Sequence, residues 1–168
     1  GFFWRQGDIS YLFYACFLFF TGLVCLTNTG LLGIEYFPLP GLQPRLESFA
    51  ISMAIVFTGL FTASFLGLHR QSGLSLWLTV VLLFASMASA IASWLLDATF
   101  SLQLSYGIIL LSTLGFIVVG GSCYLRGIRH AGLSLIAQMP IMLSASLAIM
   151  PQFNVIPLDF SMNLPVLI

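Results

Sequence analysis

The chain has 168 residues, 60% of them hydrophobic and 6% charged, with a mean hydropathy of +1.08 and no formal net charge. A water-soluble domain carries about 25% charged residues, so this chain lacks the polar surface to cover a globule in water, and it lacks the basic footprint of a nucleic-acid partner. Its solvent is the bilayer, where backbone polar groups are satisfied inside helices.

A spanning helix needs about 20 apolar residues, and the sequence predicts five complete ones. The first runs from Ile9 to Asn28 and opens on an aromatic cluster that includes Tyr11, Phe13, Tyr14, Phe17, Phe19 and Phe20. A lipid-facing surface is the default for such a cluster, and a partner protein or pigment is the alternative. The segment 30–47 follows, with Pro38, Pro40 and Pro44. These prolines remove backbone donors and disfavour helix. With Ile34, Tyr36 and Phe37 among them, the segment reads as a loop lying along the membrane interface.

The second predicted helix, 48–68, ends at the polar turn His69-Arg70-Gln71-Ser72-Gly73. The third, 74–96, spaces Ala85, Ser89 and Ser93 four apart, and likewise Ser86 and Ala90. Small residues at that interval let helix backbones approach closely. The fourth, 104–125, holds Gly115, Gly120 and Gly121 and stops at the basic turn Arg126-Gly127-Ile128-Arg129-His130. The fifth covers 131–150, and a sixth begins near Phe160 and runs to Ile168. The fold class is therefore an all-α polytopic transmembrane bundle, one domain over 1–168.

Arginine sets the orientation. Arg5, Arg70, Arg126 and Arg129 fall in the gaps on one side, and only Arg45 on the other. The positive-inside rule places the start of the first helix and the two polar turns in the cytoplasm. Glu35, Glu47, Asp97 and Asp159 then fall outside, and no acid or arginine lies in the middle of a predicted span. Intramembrane charges mark ion paths and proton relays, so an ion-coupled transporter or proton pump is disfavoured.

Catalytic signatures are missing too: no HExxH, Walker loop or GxSxG occurs. No lysine is present to form a retinal Schiff base. His69 and His130 sit at helix ends, whereas a haem held between helices needs deeper axial ligands. Cys16, Cys25 and Cys123 have neither metal-site nor disulfide spacing. No enzyme activity, metal or cofactor is expected.

Two proline sites remain. Gln138 and Pro140 lie within the fifth predicted helix, and Asn163 and Pro165 early in the sixth. A proline there kinks the helix and frees a carbonyl that a nearby amide can satisfy. The site is either a packed kink or a hinge passing motion between the two faces. At the other end of the chain, Asp8, Ser10 and Tyr11 open the first helix. Asp and Ser suit a helix cap and Tyr an interface anchor.

The stretch Asp8-Ile9-Ser10-Tyr11-Leu12-Phe13-Tyr14, followed by Phe17, resembles the start of a helix in a bacterial family, the seven-transmembrane receptors with diverse intracellular signalling modules. Gly30-Leu31-Leu32-Gly33 with Tyr36 and Pro38 is similar to the family's next loop, and Arg126 to Ala131 to its small basic turn. Asn154 to Pro157, with Met162 and Leu164 to Ile168, resembles the approach to its last helix. The resemblance implies that these residues hold the family's second to sixth helices and the start of the seventh, within a longer polypeptide. It also implies an external ligand-binding domain before them, and a cytoplasmic output after them such as a histidine kinase, a diguanylate cyclase or a phosphatase. The expected function is the membrane domain of a signalling receptor in the bacterial inner membrane. The alternative is a non-catalytic accessory subunit of a larger membrane assembly, such as an energy-converting complex. Expected partners are the lipid bilayer and either other membrane subunits or a second copy of the chain.

Overall fold

The structure, a computed structural model, describes residues 6–28, 42–68, 73–128, 131, 132 and 136, with side chains from Ile9 onward. These residues form four helices: α1 (Gln6–Asn28), α2 (Leu42–Phe65), α3 (Leu74–Leu95) and α4 (Ala98–Leu125). All four are long and apolar enough to cross a membrane. The shortest has 22 residues, about 33 Å at 1.5 Å per residue, against a hydrocarbon thickness of about 30 Å. The helices predicted over 131–150 and 160–168 lie outside the described residues, apart from positions 131, 132 and 136.

Two helix starts fall six residues before the sequence reading, for one physical reason, while the other ends agree within three residues. Helix α2 begins at Leu42 rather than at 48, and α4 at Ala98 rather than at 104. Polar residues at 43–48 and 101–103 lower local hydropathy and so read as loop. Pro44 does not prevent the earlier start, because a proline in the first turn lacks only an N–H that has no helical partner anyway. Residues 42–47, expected in the interfacial loop, are therefore helical, and Glu47 is a buried residue of α2.

The described helices are joined by tight connections. Only Leu96 and Asp97 separate α3 from α4, and the extended backbone of Asp97 reverses the chain. At the other end, α4 closes with a Schellman turn. Gly127 adopts a left-handed conformation (φ 81°), its N–H reaches Tyr124 O at 2.9 Å, and the Ile128 N–H reaches Cys123 O at 3.2 Å. Gly67 (φ 61°) ends α2 in a related way.

Helix α2 is the hub, packed against α1, α3 and α4. Of its spanning stretch 44% is buried, against 11% for α1. The α1–α2 seam is aromatic: Phe20 stacks on Phe57 with centroids 5.5 Å apart, and Tyr14 meets Phe61 at 5.6 Å. Thus the aromatic cluster of α1 divides. Phe17 is buried and Phe20 packs inward, while Tyr11 and Phe19 face outward.

Helices α3 and α4 are inside-out relative to a water-soluble bundle. In α3 the buried face carries Ser75, Thr79, Ser86, Ser89 and Ser93, and the outer face Trp77, Val81, Phe84, Ile91 and Trp94. Trp77 and Trp94, both exposed, lie about 25 Å apart along the axis. That spacing suits an aromatic residue at each membrane interface.

Candidate functional site

The polar interior gathers at the end of the bundle where α2 and α4 begin and α3 stops. Residues one turn apart on each helix bring hydroxyls to a common line: Ser48 and Ser52 from α2, Ser89 and Ser93 from α3, Ser101 and Ser105 from α4. Ser105 is the centre. Its Oγ lies 2.6 Å from Ser48 Oγ, 3.3 Å from Ser89 Oγ and 3.4 Å from Ser52 Oγ. It also lies 3.0 Å from Ser101 O and 3.3 Å from Ser48 O. A hydroxyl donates one hydrogen bond and accepts two, so Ser105 has more partners within reach than it can use at once. Ser48 also donates to Ser101 O at 3.0 Å, and Ser52 to Ser89 at 2.9 Å.

The flank of this hydroxyl knot carries the one buried charged side chain among the described residues. Glu47 on α2 accepts a hydrogen bond from the Tyr106 hydroxyl on α4 at 2.8 Å, and both residues are buried. Gln43, a turn earlier on α2, donates through Nε2 to Thr27 O on α1 at 2.8 Å. This end therefore ties α2 to every other described helix through polar groups. At the Arg126 end hydroxyl pairs also cross between helices: Ser10 with Ser64 between α1 and α2, at 2.7 Å, and Ser75 with Ser122 between α3 and α4, at 2.8 Å.

Between the two ends the helices meet through glycine. A Cβ on Gly115 of α4 would overlap Leu82 Cδ1 of α3, and one on Gly59 of α2 would lie 2.8 Å from Leu83 Cδ2 and 3.4 Å from Phe116 Cζ. Ser112, buried near this layer, has no hydrogen-bond partner among the described residues.

Of the residues singled out from sequence, Asp8 stands in the first turn of α1 and Ser10 two residues further on. Ser10 reaches across to Ser64, and Tyr11 faces outward. Gln138, Pro140, Asn163 and Pro165 lie outside the described residues. The hydroxyl knot and the Glu47–Tyr106 pair were not anticipated. The four-residue serine spacing on α3 gave half of the signal. The other half, Ser101 and Ser105 at the same spacing on α4, was hidden by the misplaced helix start.

The redundancy around Ser105 gives a prediction. Ser105→Ala leaves Ser48 bonded to Ser101 O and Ser52 bonded to Ser89, so no hydroxyl is stranded. The expected loss is near the average of about 0.6 kcal/mol for interhelix hydrogen bonds in membranes. Reversible unfolding in detergent–lipid mixtures would read it, and a loss several times larger would mean the knot acts as a single cooperative unit.

The family described as 7TM diverse intracellular signalling matches residues 1–168, the whole chain. The chain belongs to this family. It is a multi-pass membrane domain of the 7TM signalling-receptor type, its outer faces in contact with lipid. Comparison with curated proteins and with solved structures gives no match. Within this 7TM domain the hydroxyl knot and the Glu47–Tyr106 pair are the candidate functional site, because polar groups inside a membrane bundle specify how its helices meet.

Proposed function

We propose that this domain is the transmembrane relay of a receptor in the bacterial inner membrane, carrying an external event to a cytoplasmic output module. The observation that supports this most directly is the hydroxyl knot. It lies at the end that the arginine distribution places outside, and it joins three helices through hydrogen bonds that can be re-formed with other partners. Such a core offers alternative packings of similar energy, which a relay requires: a stimulus shifts an equilibrium only by its differential interaction with two states. In this reading the chain itself performs no catalysis. Asp8 and Ser10 serve at the start of α1, with Tyr11 at the interface.

The test is made on the full-length receptor. Ser89→Leu forces a large side chain into the knot, whereas Phe84→Leu alters only the outer face of α3. The expected result is a several-fold change in basal output for the first and none for the second, at equal membrane abundance. Unchanged output in folded Ser89→Leu protein would overturn the relay reading. A second reading, an accessory subunit of a larger membrane assembly, draws support from the outward aromatic face of α1. Stoichiometric co-purification with other membrane proteins, in place of an output module, would favour it.

A further inference from the structure

The geometry points to a binding site for an anionic phospholipid headgroup at the Arg126 end of α3 and α4, with the Arg126 guanidinium as the group that takes the phosphate. In the sequence two basic turns stand far apart: His69 to Gly73 precedes α3, and Arg126 to His130 follows α4. The fold brings Gly73 of the first against Arg126 of the second. A Cβ placed on Gly73 would lie 3.7 Å from both Nη1 and Nη2 of Arg126, so the guanidinium lies against the backbone of the other turn. The Ser75–Ser122 hydroxyl pair, at 2.8 Å, fastens the same two helix ends to each other.

Charge then selects the occupant. Together the two turns contain three arginines, two histidines and no acid. Arg126 is exposed, and among the described residues its guanidinium has no hydrogen-bonded or ion-paired partner. A guanidinium presents planar, paired donors that match a phosphate. The arginine distribution places this end in the cytoplasm, where the leaflet carries anionic lipids and basic pockets between helices hold their headgroups. A choline or ethanolamine cation would meet no acid in either turn, so a net-negative headgroup is favoured over a zwitterionic one with the same phosphate. Exposed aromatic residues continue the site toward the bilayer: Trp77, one turn along α3 from Gly73, and Tyr124, two residues before Arg126. Both suit the membrane interface. Arg126 also stands at the C-terminal end of α4, where a cation complements the helix dipole. That role acts on stability and is indifferent to headgroup chemistry, so preference between lipids is the readout that separates the two.

The experiment titrates full-length protein in detergent with phosphatidylglycerol or with phosphatidylcholine of the same acyl chains, and counts bound lipid by native mass spectrometry. The wild type is expected to favour phosphatidylglycerol, and Arg126→Gln to reduce that preference roughly five-fold. Arg126→Lys keeps the charge as a point cation and should retain most of it. Gly73→Asp tests the site with the arginine in place. The Gly73 backbone is extended (φ 162°), which any residue adopts, and Asp suits the N-cap position that Gly73 holds, so this variant folds. Its carboxylate pairs with the guanidinium in place of the lipid, and the preference is expected to fall as it does in Arg126→Gln. Gly73→Asn, of the same shape without the charge, should leave it in place. Arg45→Gln removes a cation from the first turn of α2, at the opposite end of the bundle, and should also leave it unchanged. Equal binding of the two lipids by the wild type, or a preference that survives either Arg126→Gln or Gly73→Asp, would overturn the site.

Discussion

Gly115→Val is expected to destabilise the bundle by about 1–3 kcal/mol, whereas Gly121→Ala, six residues along the same helix, is expected to be neutral or mildly stabilising. Both positions are helical, so intrinsic propensity favours the larger residue at each, by up to about 1 kcal/mol for alanine. Surroundings decide the sign. A side chain at Gly121 meets nothing within 4 Å, while the first carbon added at Gly115 already overlaps Leu82 Cδ1. Leu82 is itself buried and 3% exposed, so it cannot swing into lipid to make room. Valine adds two further methyls to the same space, and α3 must retreat from α4. Retreat also opens the Gly59 contact, because Leu83 and Phe116 there belong to the same two helices. Steric trapping or reversible unfolding in lipid would measure both variants. Equal effects at 115 and 121 would show that the α3–α4 contact contributes little to stability.

The four spans were legible because membrane helices are written in long apolar runs, and the turns because arginine and glycine punctuate them. Gly127 marks the close of α4, where the left-handed position favours glycine. The helix starts at Leu42 and Ala98 were not legible, and the reason is general to inside-out bundles. Hydropathy treats Glu47, Ser48, Ser101 and Gln103 alike as signs of water. In the structure Glu47, Ser48 and Ser101 are buried, and only Gln103 faces outward. A polar residue near the end of a span belongs to the loop or to the bundle interior, and one sequence does not distinguish these. Spacing would have helped: Ser48 and Ser52, Ser89 and Ser93, and Ser101 and Ser105 are pairs at the helical interval, a pattern without reason to persist in a loop. The Glu47–Tyr106 pair joins residues far apart in the chain, so it needed the helix packing before it could be seen.

That pair carries the largest expected effect. Tyr106→Phe removes the donor at 2.8 Å and leaves the buried Glu47 carboxyl without it. Leaving a buried acceptor without its donor costs about 1–3 kcal/mol, and more for a carboxylate, because the remaining group loses its partner without regaining water. Replacing both members is a different perturbation. The double variant Glu47→Leu with Tyr106→Phe leaves neither a carboxyl nor a hydroxyl to satisfy, and exchange of a buried polar pair for apolar groups of similar shape is often near neutral. Ile51 and Val24, which already pack around Tyr106, would extend an apolar contact across the site. The expected order of stability is therefore wild type close to the double variant, with Tyr106→Phe well below both. A double-mutant cycle in lipid reads it directly. If Tyr106→Phe proves as stable as wild type, water or another group reaches Glu47 and the pair is not a closed element of the core. If the double variant is stable and yet alters receptor output, the pair is retained for signalling rather than for folding. That outcome would give the acidic flank of the candidate site a role in signalling distinct from stability.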